Sequence, residues 1–314
     1  MPKSKIEVIS GDFSDERLKY LYMSARLGTM RAAADALGVA PSSVSRQIAH
    51  LERYLRVPLV EKNSHKVRLT EAGQCVVEHY RERLAQKEVL LAKLSDLKGV
   101  RAGRYTLAVG EGFISTVLLS TLHSFAQDYP GAQLDIITAP THEVISMISE
   151  DLAHLGFVFE APADPRIRTR FTIPQPLKAI VSPRHSLAGR TAIRLSELTG
   201  FPLILPRETF RIREILQTAE RNAQLQLTPA ISTNSLQLMR EGARVGMGVA
   251  IMSELSIVDD LDAGRLRSVV IEEPLLLGTK AEVITRLGRE LPSGVEAIMD
   301  ILSRVLARWR ATHH

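Results

Sequence analysis

The sequence predicts an α/β protein whose first third is helical and whose remainder alternates strands with helices. Three observations carry that expectation. Two short helical patterns flank "LGVAP" within Met30–Leu55, and a proline-free segment runs from Thr70 to about Leu97. After "LKGVRAGRY", short apolar runs alternate with helical stretches. At 314 residues the chain exceeds what one core usually serves, so several domains are expected. The boundaries read as 1–70, 71–100 and 101–314.

Taken in order, Ser14 is placed to cap a helix reaching about Leu27, with Asp15 and Glu16 in its first turn. Gly28-Thr29 restarts the chain, and "MRAAADAL" forms a second helix that Gly38 ends. Pro41 suits the first turn of a third helix running to about Leu55. Leu37, Val39, Val44, Ile48 and Leu51 give the apolar spacing. "VPLVEKNSHKVRLT" reads as a hairpin turning around Asn63-Ser64. In the long helix after it, Val77, Tyr80, Leu84, Lys87, Leu91 and Leu94 recur at three- and four-residue steps, a coiled-coil seam for a second copy interrupted by Lys87, the alternative being a helix packed on its own domain. The expected strands beyond it include "YTLAVG", "QLDIIT", "LGFVF", "KAIVS", "PLILP", "LTPAIST", "GMGVAIM" and "AEVITRL", in mainly parallel sheets.

Charge narrows the function. The net charge is +5, and residues 1–100 hold 17 Lys and Arg against 12 Asp and Glu, leaving 23 of each for the rest. The excess sits in the first third, whose partner should be anionic. No apolar run is long enough to span a bilayer, and the start lacks the apolar core of a secretory signal, so a cytoplasmic protein without membrane contact is expected. Cys75 is the single cysteine, which excludes an internal disulfide and a thiolate metal cluster. Histidines are scattered without metal-pair spacing, "GEGFIS" lacks the Gly-Lys-Ser/Thr of a phosphate loop, and no GxSxG occurs. The chain is read as no enzyme, with no cofactor.

Two helices joined by a short Gly-containing turn form a helix-turn-helix, and the hairpin after them serves as a wing. This explains why the third helix opens with hydroxyls, poor helix formers that gain little from exposure there. Ser42, Ser43 and Ser45, behind Pro41, can meet bases and phosphates; Arg46 can meet phosphate or guanine, and Gln47 can read adenine. Lys62, His65 and Lys66 belong to the wing, and Arg31 and Arg53 complete the expected contacts with double-stranded operator DNA.

The stretch "AADALGVAPSSVSRQIAHLERYLRVPLVEKNSHKVRLTEAG", Ala33 to Gly73, resembles the LysR-type transcriptional regulators, whose pattern "AA..L..sQpavSrqI..LE..LG..LF.R..R.v.LT.aG" it matches without a gap. The order of the later segments is similar too. The resemblance implies a winged helix-turn-helix, a linker helix that dimerises, and a two-lobed α/β effector domain like that of periplasmic binding proteins. It implies a homodimer, a homotetramer and contact with RNA polymerase. Ala40, Val60, Lys62 and His65 depart from the pattern, and Lys62 keeps charge while losing the bidentate fork of arginine, so weaker wing contacts are expected. "HSLA", His185–Ala188, and "GMGVAIMS", Gly246–Ser253, depart in the effector domain. The rival class, a small-molecule binding protein, is disfavoured by the basic N-terminal module.

The resemblance further places an effector between the lobes. Glu111, Gly112, Phe113, Thr141, Thr209, Phe210, Thr233, Asn234 and Ser235 fall at those positions. Helix N-termini in such clefts suit an organic carboxylate. Glu111 stands where the family tends to offer small or hydroxyl residues, and a buried acid without a partner is costly. Either it turns to solvent or a local basic residue, or the effector brings a positive group. The second alternative makes the effector an amine-bearing carboxylic acid.

Overall fold

The computed structural model describes residues 13–61, 66–97, 101–208 and 210–313. The chain separates into two compact units, dividing after Glu88.

The first unit holds helices α1 (Asp15–Leu27), α2 (Met30–Leu37) and α3 (Pro41–Leu55), and the start of α4 (Glu71–Leu97). Each boundary has a local cause. Ser14 Oγ accepts from the Arg17 amide and Thr29 Oγ1 from the Ala32 amide, so both hydroxyls cap helices. Gly28 and Gly38 sit at φ 77° and 67°, the left-handed conformation that releases a helix end. Arg56 does the same after α3 at φ 54°, without glycine's freedom. Leu18, Leu21, Ala33, Ala34, Val44, Ile48 and Leu51 pack into one core with Leu59.

Val60 pairs antiparallel with Leu69, and the Glu61 amide donates to the Arg68 carbonyl at 2.9 Å, which makes the two arms of the expected hairpin. Its tip, Asn63-Ser64 with Lys62 and His65, lies outside the described residues. Glu52 on α3 holds the first arm, its Oε1 accepting from the Leu59 and Val60 amides at 2.8 and 3.2 Å. Gly73 is required where α4 starts, because a Cβ there would stand 2.0 Å from the Leu59 carbonyl oxygen.

One expectation about α4 needs correction. Val77 and Tyr80 are not part of an open seam: both are buried in the core of their own unit, where Tyr80 lies against Tyr22. The first turns of α4 bring their apolar face down on α1, and only Leu84, Leu91 and Leu94 of the predicted apolar set stay exposed, with Leu90 and Leu97 beside them.

In the second unit the remaining elements are β1 (Ala102–Val109), α5 (Thr116–Asp128), β2 (Gly131–Thr138), α6 (Thr141–Ser149), β3 (Leu155–Phe159), β4 (Ile167–Pro174), β5 (Leu177–Val181), β6 (Ala192–Ile193), β7 (Leu203–Pro206), α7 (Arg211–Asn222), β8 (Pro229–Thr233), α8 (Leu236–Arg244), β9 (Val249–Ser253), α9 (Val258–Asp262), β10 (Arg267–Ile271), α10 (Pro274–Leu277), β11 (Lys280–Arg286) and α11 (Ser293–His313). They build two sheets, ordered β2-β1-β3-β11-β4 and β6-β10-β5-β9-β7-β8. The first sheet is covered on both faces. Phe125 of α5 and Val295 and Ile298 of α11 lie in one core, Val144 and Ile148 of α6 in another. The second sheet has its own core, including Leu216, Met239 and Ile251.

The sheets are mixed rather than mainly parallel. β1 runs parallel to β2 and β3, but β11 is antiparallel to both β3 and β4, and β5 is antiparallel to β9 and β10. The cause is the double crossing: β4 leads into β5 and α10 back into β11, so these strands enter against the prevailing direction. The crossings are tied to each other. The Gln175 amide donates to the Thr279 carbonyl at 2.9 Å, Thr279 Oγ1 donates to the Gln175 carbonyl at 2.7 Å, and the Leu177 amide donates to Thr279 Oγ1 at 3.2 Å. Among the described residues no helix is long and apolar enough to cross a membrane.

Candidate functional site

The first candidate surface is one face of α3. Val44, Ile48 and Leu51 are buried at steps of four and three, which fixes the rotation of the helix. That rotation leaves Pro41, Ser42, Ser45 and Arg46 exposed, with Ser43 and Gln47 half-buried at the margin. Ala40, at the N-cap, gives the first turn no side-chain acceptor. The N-terminal amides and two exposed hydroxyls are therefore presented beside a guanidinium, an arrangement suited to phosphate and base edges.

Arg31 on α2 and Arg53 on α3 are exposed, as is Lys66 on the second hairpin arm; Arg53 Nε also reaches back to the Ala49 carbonyl at 3.4 Å. Lys62 and His65 lie outside the described residues. The structure adds a residue that sequence reasoning missed. Arg17 of α1 donates from Nε to Gln47 Oε1 at 3.0 Å. Its only sequence signal was a basic residue one helical turn from the Ser14 cap.

The second candidate is a cleft of about 260 Å³ between the two sheets of the C-terminal unit. One side is the turn of 3-10 helix Glu111–Phe113 after β1, together with the start of α6 at Thr141; the other is formed by the starts of α7 and α8. Of the predicted residues, Glu111, Gly112, Phe113, Thr141, Phe210 and Asn234 line it. Thr233 and Ser235 do not. Thr233 Oγ1 accepts from the Ser235 amide at 3.1 Å, and Ser235 Oγ accepts from the Leu238 amide at 3.3 Å, capping α8, while donating to Glu111. Thr209 lies outside the described residues.

Sequence reasoning missed the floor of the cleft. Gln175 comes from the crossing after β4, Ser253 and Ser256 from the end of β9 and the turn after it, and Phe159, Met252 and Leu255 add apolar wall. Gln175 is buried, and its Oε1 accepts from the Leu255 amide at 3.2 Å. Ser253 closes "GMGVAIMS", so that departure was the one available signal.

Glu111 takes neither of the two courses the sequence left open. Its Oε1 accepts from the Leu236 amide at 3.0 Å and from the Gln237 amide and Ser235 Oγ at 3.4 Å each. The carboxylate thus reaches across the cleft to the N-terminus of α8, where the helix dipole favours negative charge. It has a partner, so the reason for requiring an amine on the effector is gone. Arg211, the cation at the wall, is engaged as well: it donates from Nε to the Glu160 carbonyl at 3.0 Å and pairs with Glu214 at 2.5 Å.

Comparison with known proteins covers both units. Residues 16–74 match the bacterial regulatory helix-turn-helix protein family designated lysR, and residues 98–307 match the LysR substrate binding domain. The HTH-type transcriptional activator CmpR of Synechocystis sp. is 27% identical over 281 residues, 88% of this chain and 91% of that protein. The HTH-type transcriptional regulator CbbR of Rhodospirillum rubrum is 26% identical over 86% of this chain and 89% of its own. Among solved structures, a full-length OxyR variant from Pseudomonas aeruginosa aligns with a TM-score of 0.64 at 18% identity, covering 92% of this chain and 94% of that one. Full-length CbnR in complex with its target DNA aligns at 0.54 and 20% identity, covering 93% and 99%.

Proposed function

Because the chain belongs to the LysR family of bacterial helix-turn-helix regulators, we propose that α3 reads an operator and that the cleft between the sheets receives the controlling small molecule. The protein is a DNA-binding transcriptional regulator with an effector-binding domain, and not an enzyme. What carries the assignment of residues is the rotation of α3, whose buried Val44, Ile48 and Leu51 turn Ser42, Ser45 and Arg46 outward together. Residues 1–70 are assigned to DNA binding, 71–100 to the linker and 101–314 to effector binding. Arg31, Ser43, Gln47, Arg53 and Lys66 complete the contacts within the described residues.

Members of this family form oligomers, and here the exposed leucines of α4 supply the dimer contact. A tetramer built from two such dimers would hold two pairs of half-sites, and an activating role would include contact with RNA polymerase. Its place of work is the cytoplasm. A ligand that binds one arrangement of the lobes better than another shifts the population between them by that difference in affinity. Selection from a random DNA library by the full-length protein tests the reading. A site of two related half-sites should be enriched, and its affinity should fall steeply with salt. Recovery of sequences no different from the input library would reject it.

A further inference from the structure

Two positive devices of the cleft are committed inside the protein, while the starts of α6 and α7 carry no side-chain cap. The N-terminus of α8 is one, with the Leu236 and Gln237 amides and the Ser235 hydroxyl pointing at a single oxygen of Glu111. Arg211 is the other, held by Glu214 and the Glu160 carbonyl. The approach that lets Glu111 reach α8 is built into the backbone: a Cβ on Gly112 would lie 3.3 Å from Leu236 Cδ1, so the turn carrying Glu111 is pressed against the first residue of the helix.

We propose that Glu111 is a tethered carboxylate that fills, from the opposite lobe, the anion-receiving end of α8, so that this end of the cleft is closed to an effector's free carboxylate. Much of the lining left for a ligand is apolar. The walls are Phe113, Phe159, Phe210, Leu236 and Leu255. Beside Ser253 and Ser256, the floor carries the Gln175 side-chain amide. Its oxygen is fixed by the Leu255 amide, so the nitrogen is the end without a partner among the described residues, a donor for a neutral carbonyl, ether or hydroxyl. A second carboxylate brought to α8 would have to displace the first. Its charge would otherwise lie beside that of Glu111 in a small apolar cavity, which is strongly unfavourable.

The consequence for an effector rests on reading this cleft as the effector site; the occupation of α8 by Glu111 does not, and the test addresses that occupation. The probes are acetate and its neutral counterpart acetamide, at matched ionic strength, with amide hydrogen exchange of Leu236 and Gln237 monitored by mass spectrometry on the full-length protein. In the parent, these amides should be protected and acetate should change nothing. In Glu111→Ala they should exchange about tenfold faster or more, as expected for loss of hydrogen bonds to a charged group. Acetate should restore their protection in a saturable way, and acetamide should not. Circular dichroism of the variant and unchanged exchange in β1 and β9 would show that the fold persists; a variant that unfolds is replaced by Glu111→Gln, for which faster exchange and no protection by acetamide are expected. Protection of the parent by acetate overturns the proposal, because α8 would then be open to free anions. Parent-like exchange in Glu111→Ala, or failure of acetate to protect it, overturns it equally. Any of these failures leaves operator recognition by α3 standing.

Discussion

Arg17 on α1 and Gln47 on α3 are joined through Nε and Oε1 at 3.0 Å, so the first helix sets the orientation of a side chain on the recognition helix. With its oxygen held by Arg17, the Gln47 N–H donors are the end left freer for a base. A bidentate reading of adenine needs both a donor and an acceptor, so Gln47 suits acceptor positions such as guanine N7 and O6 or thymine O4 instead. Arg17→Ala should change the preferred base at the position Gln47 contacts, by about 1–3 kcal/mol of discrimination. Site selection run in parallel on parent and variant measures this, and identical base preferences would sink the idea.

Arg46 is exposed on the same helix, away from the buried Val44 and Ile48. Arg46→Ala should weaken operator binding by about 1–3 kcal/mol and leave the melting temperature unchanged. Normal binding by the variant would remove Arg46 from the interface.

Leu84 and Leu91 are 41% and 56% exposed on α4, a large apolar area for water to cover. Replacing both by Glu should yield smaller species in sedimentation and reduced operator affinity, since two half-sites would no longer be held by one particle. If the double variant sediments like the parent, this face of α4 is not where copies meet.

Arg56 ends α3 in the left-handed conformation at φ 54°, where the family pattern has glycine. A side chain there costs on the order of 1 kcal/mol. Arg56→Gly should raise the stability of the N-terminal unit by up to about that amount, offset in part by glycine's greater freedom in the unfolded chain. Thermal or urea denaturation is the check, and a clear loss of stability would contradict the strain argument.

Burial holds the His185 imidazole below its ordinary value of 6.5, and its Nδ1 accepts from the Leu187 amide at 3.2 Å. The unfolded chain therefore binds a proton more readily than the folded one. Stability associated with His185 is intact above 6.5 and declines as pH falls from there towards the lower folded-state value. Melting temperatures of the parent and His185→Gln, compared across that window, should diverge as the solution is acidified, with the variant less sensitive. Parallel curves would show that His185 does not govern this dependence.

The N-terminal unit was legible because its boundaries are set by local chemistry. Ser14, Thr29, Gly28 and Gly38 act on their immediate neighbours, and the spacing of Val44, Ile48 and Leu51 fixes which face of α3 is buried. The strands β4, β6 and β10 were not found, and β6 has only two residues. β4 carries Arg168 and Arg170 on exposed positions of an edge, and β10 has five residues with a polar start, so neither shows a clear apolar period. The cleft was half legible. Residues adjacent to strand ends were found, but Gln175, Ser253 and Leu255 meet there only because distant strands are paired, and Glu111 meets α8 across 125 residues of chain. No period or motif in a sequence records such a meeting.

The bonds between Gln175 and Thr279 also define a line about which the halves of the C-terminal unit can turn. Two separate flexible connections would let the lobes slide or twist independently; two connections pinned together behave as a single pivot, leaving rotation as the easy motion. Displacement about a pivot grows with distance from it. A ligand seated against Gln175 would act at the short end of such a lever, and a small adjustment there would grow towards the rims of both lobes.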